Sequence, residues 1–182
     1  MPFTLVIGGA RSGKSSLAVR LASGDALPVT FVATAQAGDN DMAERIDRHR
    51  AERPSHWSTI EEPTDLRRAI DHSGNSFVIV DCITMWVANL IFGDRSDDEI
   101  REKACDLAAR LAERAAPAVV ISNEVGMSIH PETELGRRYR DLLGWVNSDF
   151  AAVAERSLLM VAGRATVLHD PIDLLTSKDV PA

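Results

Sequence analysis

Gly8-Gly9-Ala10-Arg11-Ser12-Gly13-Lys14-Ser15 follows a short apolar run and precedes a stretch with helical spacing. It meets G-x-x-x-x-G-K-[ST] at every fixed position. The glycines let backbone N–H groups curl toward a phosphate where side chains would block the approach. Lys14 brings a mobile cation to the β- and γ-phosphates, and the Ser15 hydroxyl is placed for Mg²⁺. The helix that opens here adds the positive end of its dipole. Residues 8–15 therefore predict a site for the phosphates of ATP or GTP.

Asp81 is the natural second half of such a site. It stands directly after the apolar run Phe77-Val78-Ile79-Val80, where a carboxylate meets Mg²⁺ or its bound water. Glu124 ends the next strong apolar run and is a candidate to orient water or substrate, or else a solvated loop carboxylate. A third group lies between residues 41 and 53, where Arg45, Arg48, Arg50 and Arg53 surround His49. Helical spacing puts positions 42, 45, 46, 49 and 53 on one face. On spacing alone this is equally a solvated helix of mixed charge.

These groups need elements to hold them. Residues 3–7, 29–33, 77–80 and 118–121 read as buried strands, with weaker strands at 57–60, 158–162 and 165–168. Helical spacing is seen at 14–22, at 41–53 up to Pro54, after Thr64 as a cap, and at 84–92. Ser96-Asp97-Asp98-Glu99 is a capping box opening another helix, and residues 133–155 form a long amphipathic one. Strands alternating with helices predict an α/β domain with a mostly parallel sheet and helices on both faces. Open sheets of this kind bind ligands at the carboxyl ends of their strands, which unites Gly8, Thr34, Asp81 and Glu124.

The 182 residues suit one domain, 1–168, with a short polar tail at 169–182. A formal charge of −7 gives no global support to a nucleic-acid partner. No apolar stretch approaches the roughly 18 residues of a membrane span. Cys82 and Cys105 have no metal-type spacing and read as small buried fillers, reduced in a cytoplasmic protein.

The motifs occur in a telling order. After the phosphate loop come Ala33-Thr34-Ala35, then Met42-x-x-Arg45-Ile46-x-x-His49-Arg50-x-x-Arg53-Pro54-x-x-Trp57, then Asp81-Cys82-Ile83-Thr84 and Asn123-Glu124-Val125-Gly126. Over roughly residues 3–168 the chain closely resembles the bifunctional adenosylcobinamide kinase/adenosylcobinamide-phosphate guanylyltransferases of cobalamin biosynthesis. It departs from their usual pattern at Ser128, His130, Glu155 and Ala162-Gly163-Arg164.

The resemblance implies a RecA-like P-loop NTPase fold and a homo-oligomer, often a trimer, with a corrinoid substrate. It implies phosphorylation of adenosylcobinamide by ATP or GTP. It also implies transfer of GMP from GTP to that phosphate through a covalent histidine intermediate. His49 then takes the nucleophile's place. Gly8, Gly9, Ala10, Arg11, Ser12, Gly13, Lys14, Ser15, Ala33, Thr34, Ala35, His49, Arg50, Ala51, Glu52, Glu61 and Asp81 fall in the regions expected to hold the nucleotide, with Ser15 and Asp81 at Mg²⁺. Two other readings stay open from the residues alone. A P-loop kinase for another small molecule needs Lys14, Ser15 and Asp81 but not His49, and a nucleotide-dependent switch needs no acceptor.

Overall fold

The structure is a computed structural model of the chain. It describes residues 3–36, 38, 40–51 and 53–176, with the side chains of Asn40, Asp41, Met42, Ala43, Arg45 and His49 outside that description. In chain order the elements are β1 (Phe3–Gly8), α1 (Lys14–Ser23), β2 (Val29–Ala33), α2 (Asn40–Ala51), β3 (Ser58–Glu61), α3 (Leu66–His72) and β4 (Phe77–Asp81). Then follow α4 (Ile83–Phe92), α5 (Asp97–Ala112), β5 (Ala118–Asn123), α6 (Glu134–Ala151), β6 (Arg156–Val161), β7 (Arg164–Leu168) and α7 (Pro171–Thr176).

The strands form one seven-stranded sheet in the order β3-β2-β4-β5-β1-β6-β7. Every pairing is parallel except the β6–β7 hairpin. The central strands are apolar because both faces are covered. Period-2 alternation sends Leu5 and Ile7 of β1 into one core and Val6 into the other. The larger core lies against α3, α4, α5 and α6, whose Ile70, Trp86, Leu107 and Phe150 are almost fully enclosed. The smaller core takes Ala18 and Ala22 of α1, Phe31 of β2 and Trp57.

Helix boundaries follow local chemistry. The expected capping box is present at α5, where Ser96 and Glu99 exchange backbone and side-chain bonds. For α3 the cap is Asp65 rather than the expected Thr64. The Asp65 carboxylate accepts from the Arg68 amide at 3.2 Å, while Glu62 takes the Thr64 amide into the preceding turn. The α6 helix starts after Thr133, whose hydroxyl accepts from the Gly136 amide. It stops at Ala151 rather than reaching residue 155, because the Glu155 amide turns away to the Phe3 carbonyl. In the tail, residues 171–176 are helical and exposed.

One buried cation holds the α3–β4 connection. The Arg114 guanidinium, 8% exposed, donates to the Ile70 carbonyl, the Ser73 hydroxyl and the Ser76 carbonyl. Alanine there strands those acceptors, at a cost of about 3 kcal/mol. Arg114→Ala is expected to lower the thermal midpoint by roughly 6–12 °C in a scanning melt. A shift within 2 °C would show that the contacts are dispensable.

Candidate active site

Parallel pairing brings the carboxyl ends of six strands to one edge. Gly8 lies opposite Asn123, and Ala33 opposite both Asp81 and Glu61. The phosphate loop leaves β1 at this edge and enters α1 through Gly13, whose φ of 97° is a left-handed value suited to glycine. Gly8 is needed for closeness: a Cβ there would sit 2.3 Å from the Met160 carbonyl oxygen. Arg11 also takes a positive φ of 57°, a strained value for a side-chain-bearing residue. The β6–β7 turn braces the loop from outside, with the Gly163 amide donating to the Ser12 carbonyl at 3.0 Å.

Lys14 is buried at the centre of the loop. Its ammonium donates to the carbonyls of Gly8 at 2.9 Å and Gly9 at 2.7 Å, with Ser12 Oγ at 3.4 Å. These contacts hold the charge in place at the site. The Ser15 hydroxyl donates to Asp81 Oδ2 at 2.9 Å, joining the loop to the end of β4. That separation bears on Mg²⁺. Two neighbouring corners of an octahedron with bonds of about 2.05 Å lie about 2.9 Å apart. A hydroxyl and a carboxylate, both hard oxygen donors, thus stand at the spacing the ion requires. Among the described residues no cluster of three or more His, Cys, Asp or Glu forms a metal site.

Other predicted residues surround this centre in different roles. Thr34 is fully buried, and its hydroxyl donates to the Cys82 carbonyl and accepts from the Cys82 amide at 2.7 and 2.8 Å. Its own amide donates to the Asp81 carbonyl, so Thr34 fixes the backbone that carries Asp81. Arg50 pairs with Glu61 and lies 3.7 Å from Asp47, tying α2 to β3. Arg53 stacks its guanidinium 3.5 Å from the centre of the Phe31 ring. Burial lowers its pKa, opposed by attraction to Asp81. Ala33 and Ala35 line up beside Thr34 at the edge, while Glu52 lies outside the described residues, as does the side chain of His49. Glu124 accepts from the amides of Gly126 and Met127, so its carboxylate shapes its own loop.

A cleft of about 470 Å³ opens over residues 10–16, bounded by Asp81, Cys82, Asn123 and Arg48. Arg48 and Asn123 were not among the expected nucleotide contacts. Helical periodicity sorts α2 into faces, but it does not say which face meets the phosphate loop. The Asn123 backbone is fixed from both sides, by Thr84 Oγ1 at 2.7 Å and by the Asn147 side chain at 3.0 Å.

The two cysteines differ. Cys105 is exposed on α5, contrary to the buried filler expected, because its position falls beside the apolar stripe of Ala104, Leu107 and Ala108. Cys82 keeps part of its surface open, but burial of its thiol pushes the pKa up to about 11, with the Asp81 carboxylate adding to the rise. At pH 8 only about one Cys82 in a thousand is then thiolate, the reactive form. Iodoacetamide is therefore expected to label Cys105 first and Cys82 far more slowly, as read by peptide mass spectrometry. Equal labelling rates would contradict the enclosure of Cys82.

Comparison with known proteins agrees with this geometry. A KaiC-like protein from Pyrococcus horikoshii OT3 has a TM-score of 0.50 at 14% identity, covering 87% of this chain and 70% of that one. An ATPase of a type III secretion system from pathogenic bacteria has a TM-score of 0.56 at 9% identity, covering 91% of this chain and 56% of the other. These share the fold, an α/β RecA-like arrangement. Sequence relatives are much nearer. The bifunctional adenosylcobalamin biosynthesis protein CobP of Pseudomonas aeruginosa is 44% identical over 164 residues, covering 87% of this chain and 92% of its own. The bifunctional adenosylcobalamin biosynthesis protein CobU of Escherichia coli is 42% identical over 173 residues, with 87% and 95% covered. The model of the cobinamide kinase / cobinamide phosphate guanyltransferase family matches residues 4–168. With nearly the whole chain matched by that model, and relatives above 40% identity along almost their full length, the chain belongs to the cobinamide kinase / cobinamide phosphate guanyltransferase family.

Proposed function

We propose that the chain catalyses both reactions of this family at one nucleotide site within a single catalytic domain spanning residues 1–168. In the first, the hydroxyl of adenosylcobinamide attacks the γ-phosphorus of ATP or GTP. The bond from that phosphorus to the bridging oxygen breaks, the nucleoside diphosphate leaves, and the hydroxyl proton passes to solvent. In the second, a ring nitrogen of His49 attacks the α-phosphorus of GTP and pyrophosphate leaves. A phosphate oxygen of the phosphorylated corrinoid then displaces the histidine, giving adenosylcobinamide-GDP. Splitting the displacement in two lets a neutral imidazole act as nucleophile.

Within this reading residues 8–15 cradle the phosphates, and Lys14 exchanges its carbonyl contacts for phosphate oxygens as charge develops. Ser15 and Asp81 hold Mg²⁺, which when bound neutralises phosphate charge and orients the triphosphate. Thr34 keeps Asp81 at its distance from Ser15. Ala33, Ala35 and the segment from His49 to Glu52, with Glu61, form the nucleoside side of the site. The observation that carries guanylyl transfer is the seat of α2. Its Arg48 side chain lines the cleft over the phosphate loop, so the helix that contains His49 borders the phosphates.

The reading extends to a cytoplasmic homo-oligomer, in keeping with a trimer. Two unpaired thiols and the exposed apolar Val167 and Leu168 on the edge strand β7 support it. Among the described residues, no helix is long and apolar enough to cross a membrane.

The test is product analysis. Purified chain, Mg²⁺, adenosylcobinamide and ATP are expected to yield the phosphorylated corrinoid, and added GTP its GDP derivative, both resolved by mass. Unchanged corrinoid alongside tight nucleotide binding would move the chain to a kinase of another acceptor or to a switch.

A further inference from the structure

Three arginines at and just beyond the carboxyl end of α2 have described side chains, and they meet different fates. Arg50 is paired with Glu61 and Asp47. Arg53 is stacked on Phe31. Arg48 makes no hydrogen bond or ion pair with the described residues, yet its side chain lines the cleft that holds residues 10–16 and Asp81. An exposed arginine on a helix that also offers Glu44 and Asp47 has intrahelical partners at i−4 and i−1, of which only the i−4 position faces it. It takes neither, and instead borders a cavity that Lys14 and the rest of residues 10–16 also line.

We infer that Arg48 is a phosphate-contacting residue, supplied by α2 within the same chain, that clamps the β,γ end of the bound triphosphate opposite Lys14. This rests on the nucleotide site proposed above and adds to it a second cation from a separate element. The charge inventory supports the assignment. The described cleft holds Lys14, Arg11 and Arg48 against the one carboxylate of Asp81. A triphosphate with Mg²⁺ brings net negative charge into that surplus.

The chemistry suits guanidinium. When the γ-phosphorus to bridging-oxygen bond breaks, negative charge grows on the bridging oxygen and on the β-phosphate. A planar fork of N–H donors neutralises adjacent phosphate oxygens together, as a point charge cannot. In guanylyl transfer the same β and γ groups leave as pyrophosphate, so one clamp serves both displacements. Because Arg48 sits on α2 and not on the loop, triphosphate binding also draws that helix against the phosphates. Diphosphate, lacking the γ group, draws it less.

The decisive experiment needs no corrinoid. Affinities for a non-hydrolysable β,γ-imido triphosphate and for the diphosphate are measured by calorimetry with Mg²⁺, in the wild-type chain, Arg48→Ala and Arg48→Lys. The wild type is expected to prefer the triphosphate, and Arg48→Ala to lose about tenfold of that preference, the scale of a single charge-assisted contact. Arg48→Lys should recover part of the binding preference. In the phosphorylation assay Arg48→Ala should lower kcat by roughly a hundredfold, with Arg48→Lys restoring little of it. A triphosphate-to-diphosphate ratio equal to wild type in Arg48→Ala would overturn the assignment. Arg48 is exposed and makes no hydrogen bond or ion pair with the described residues, so circular dichroism should show both variants folded, and the lysine variant gives a second reading of the ratio. If the wild type binds nucleotide with the expected preference but leaves cobinamide unchanged, the acceptor reading fails while the Arg48 result stands.

Discussion

Lys14→Ala is expected to lower phosphoryl transfer by at least about a thousandfold and to suppress guanylyl transfer alongside it. The ammonium stands inside the phosphate loop, held by the Gly8 and Gly9 carbonyls and beside Ser12 Oγ. In the proposed reactions it meets the β- and γ-phosphates in the first and the leaving pyrophosphate in the second. Stabilisation of developing charge in a water-poor site is the largest single contribution to such catalysis, so its removal affects both transfers. The fold should survive, because the cores lie above and below the sheet and the loop keeps its Gly163 brace. Steady-state assays of both products, with a melt to confirm folding, check the expectation. A folded variant that retains a tenth of either activity would show that Lys14 is not at the phosphates.

His49→Ala should split the two reactions. Guanylyl transfer is expected to fall by about ten-thousandfold or more, because the covalent route loses its nucleophile. Phosphorylation should stay within about fivefold of wild type, since Lys14, Ser15 and Asp81 are untouched. The variant given ATP, GTP and adenosylcobinamide should therefore accumulate the phosphorylated corrinoid and no GDP derivative, as read by mass. Loss of both products in a folded variant would assign His49 to nucleotide binding instead. Retention of both would remove it from the chemistry.

Residues 8–15 and Asp81 could be read from sequence because their signal is local. A strand must end, a turn must open and a helix must begin within a few residues, and the pattern states each step. Asp81 needed only an apolar run ending in a carboxylate. The capping box at Ser96 was legible for the same reason. What escaped depended on contacts far along the chain. Arg48 and Arg53 differ in role because α2 packs with one face toward the cleft and its end against Phe31, and spacing ranks neither face. Thr34 was placed correctly at the sheet edge, but its bonds to Cys82, 48 positions away, make it a support for Asp81. Glu124 offered a free carboxylate to sequence reasoning, and the turn that follows claims it. Trp57 and Trp86 are both buried, Trp86 with its indole N–H donating to the Thr64 carbonyl.

The central claim, that one chain uses His49 to carry GMP between two displacements, is tested most directly by covalent labelling. Wild-type protein is incubated with α-phosphate-labelled GTP and Mg²⁺, denatured, digested and mapped. The expected result is label on the peptide containing His49, lost in acid, retained in alkali and absent from His49→Ala. Folded protein that binds GTP yet carries no covalent label, or carries it on another residue, would contradict the account.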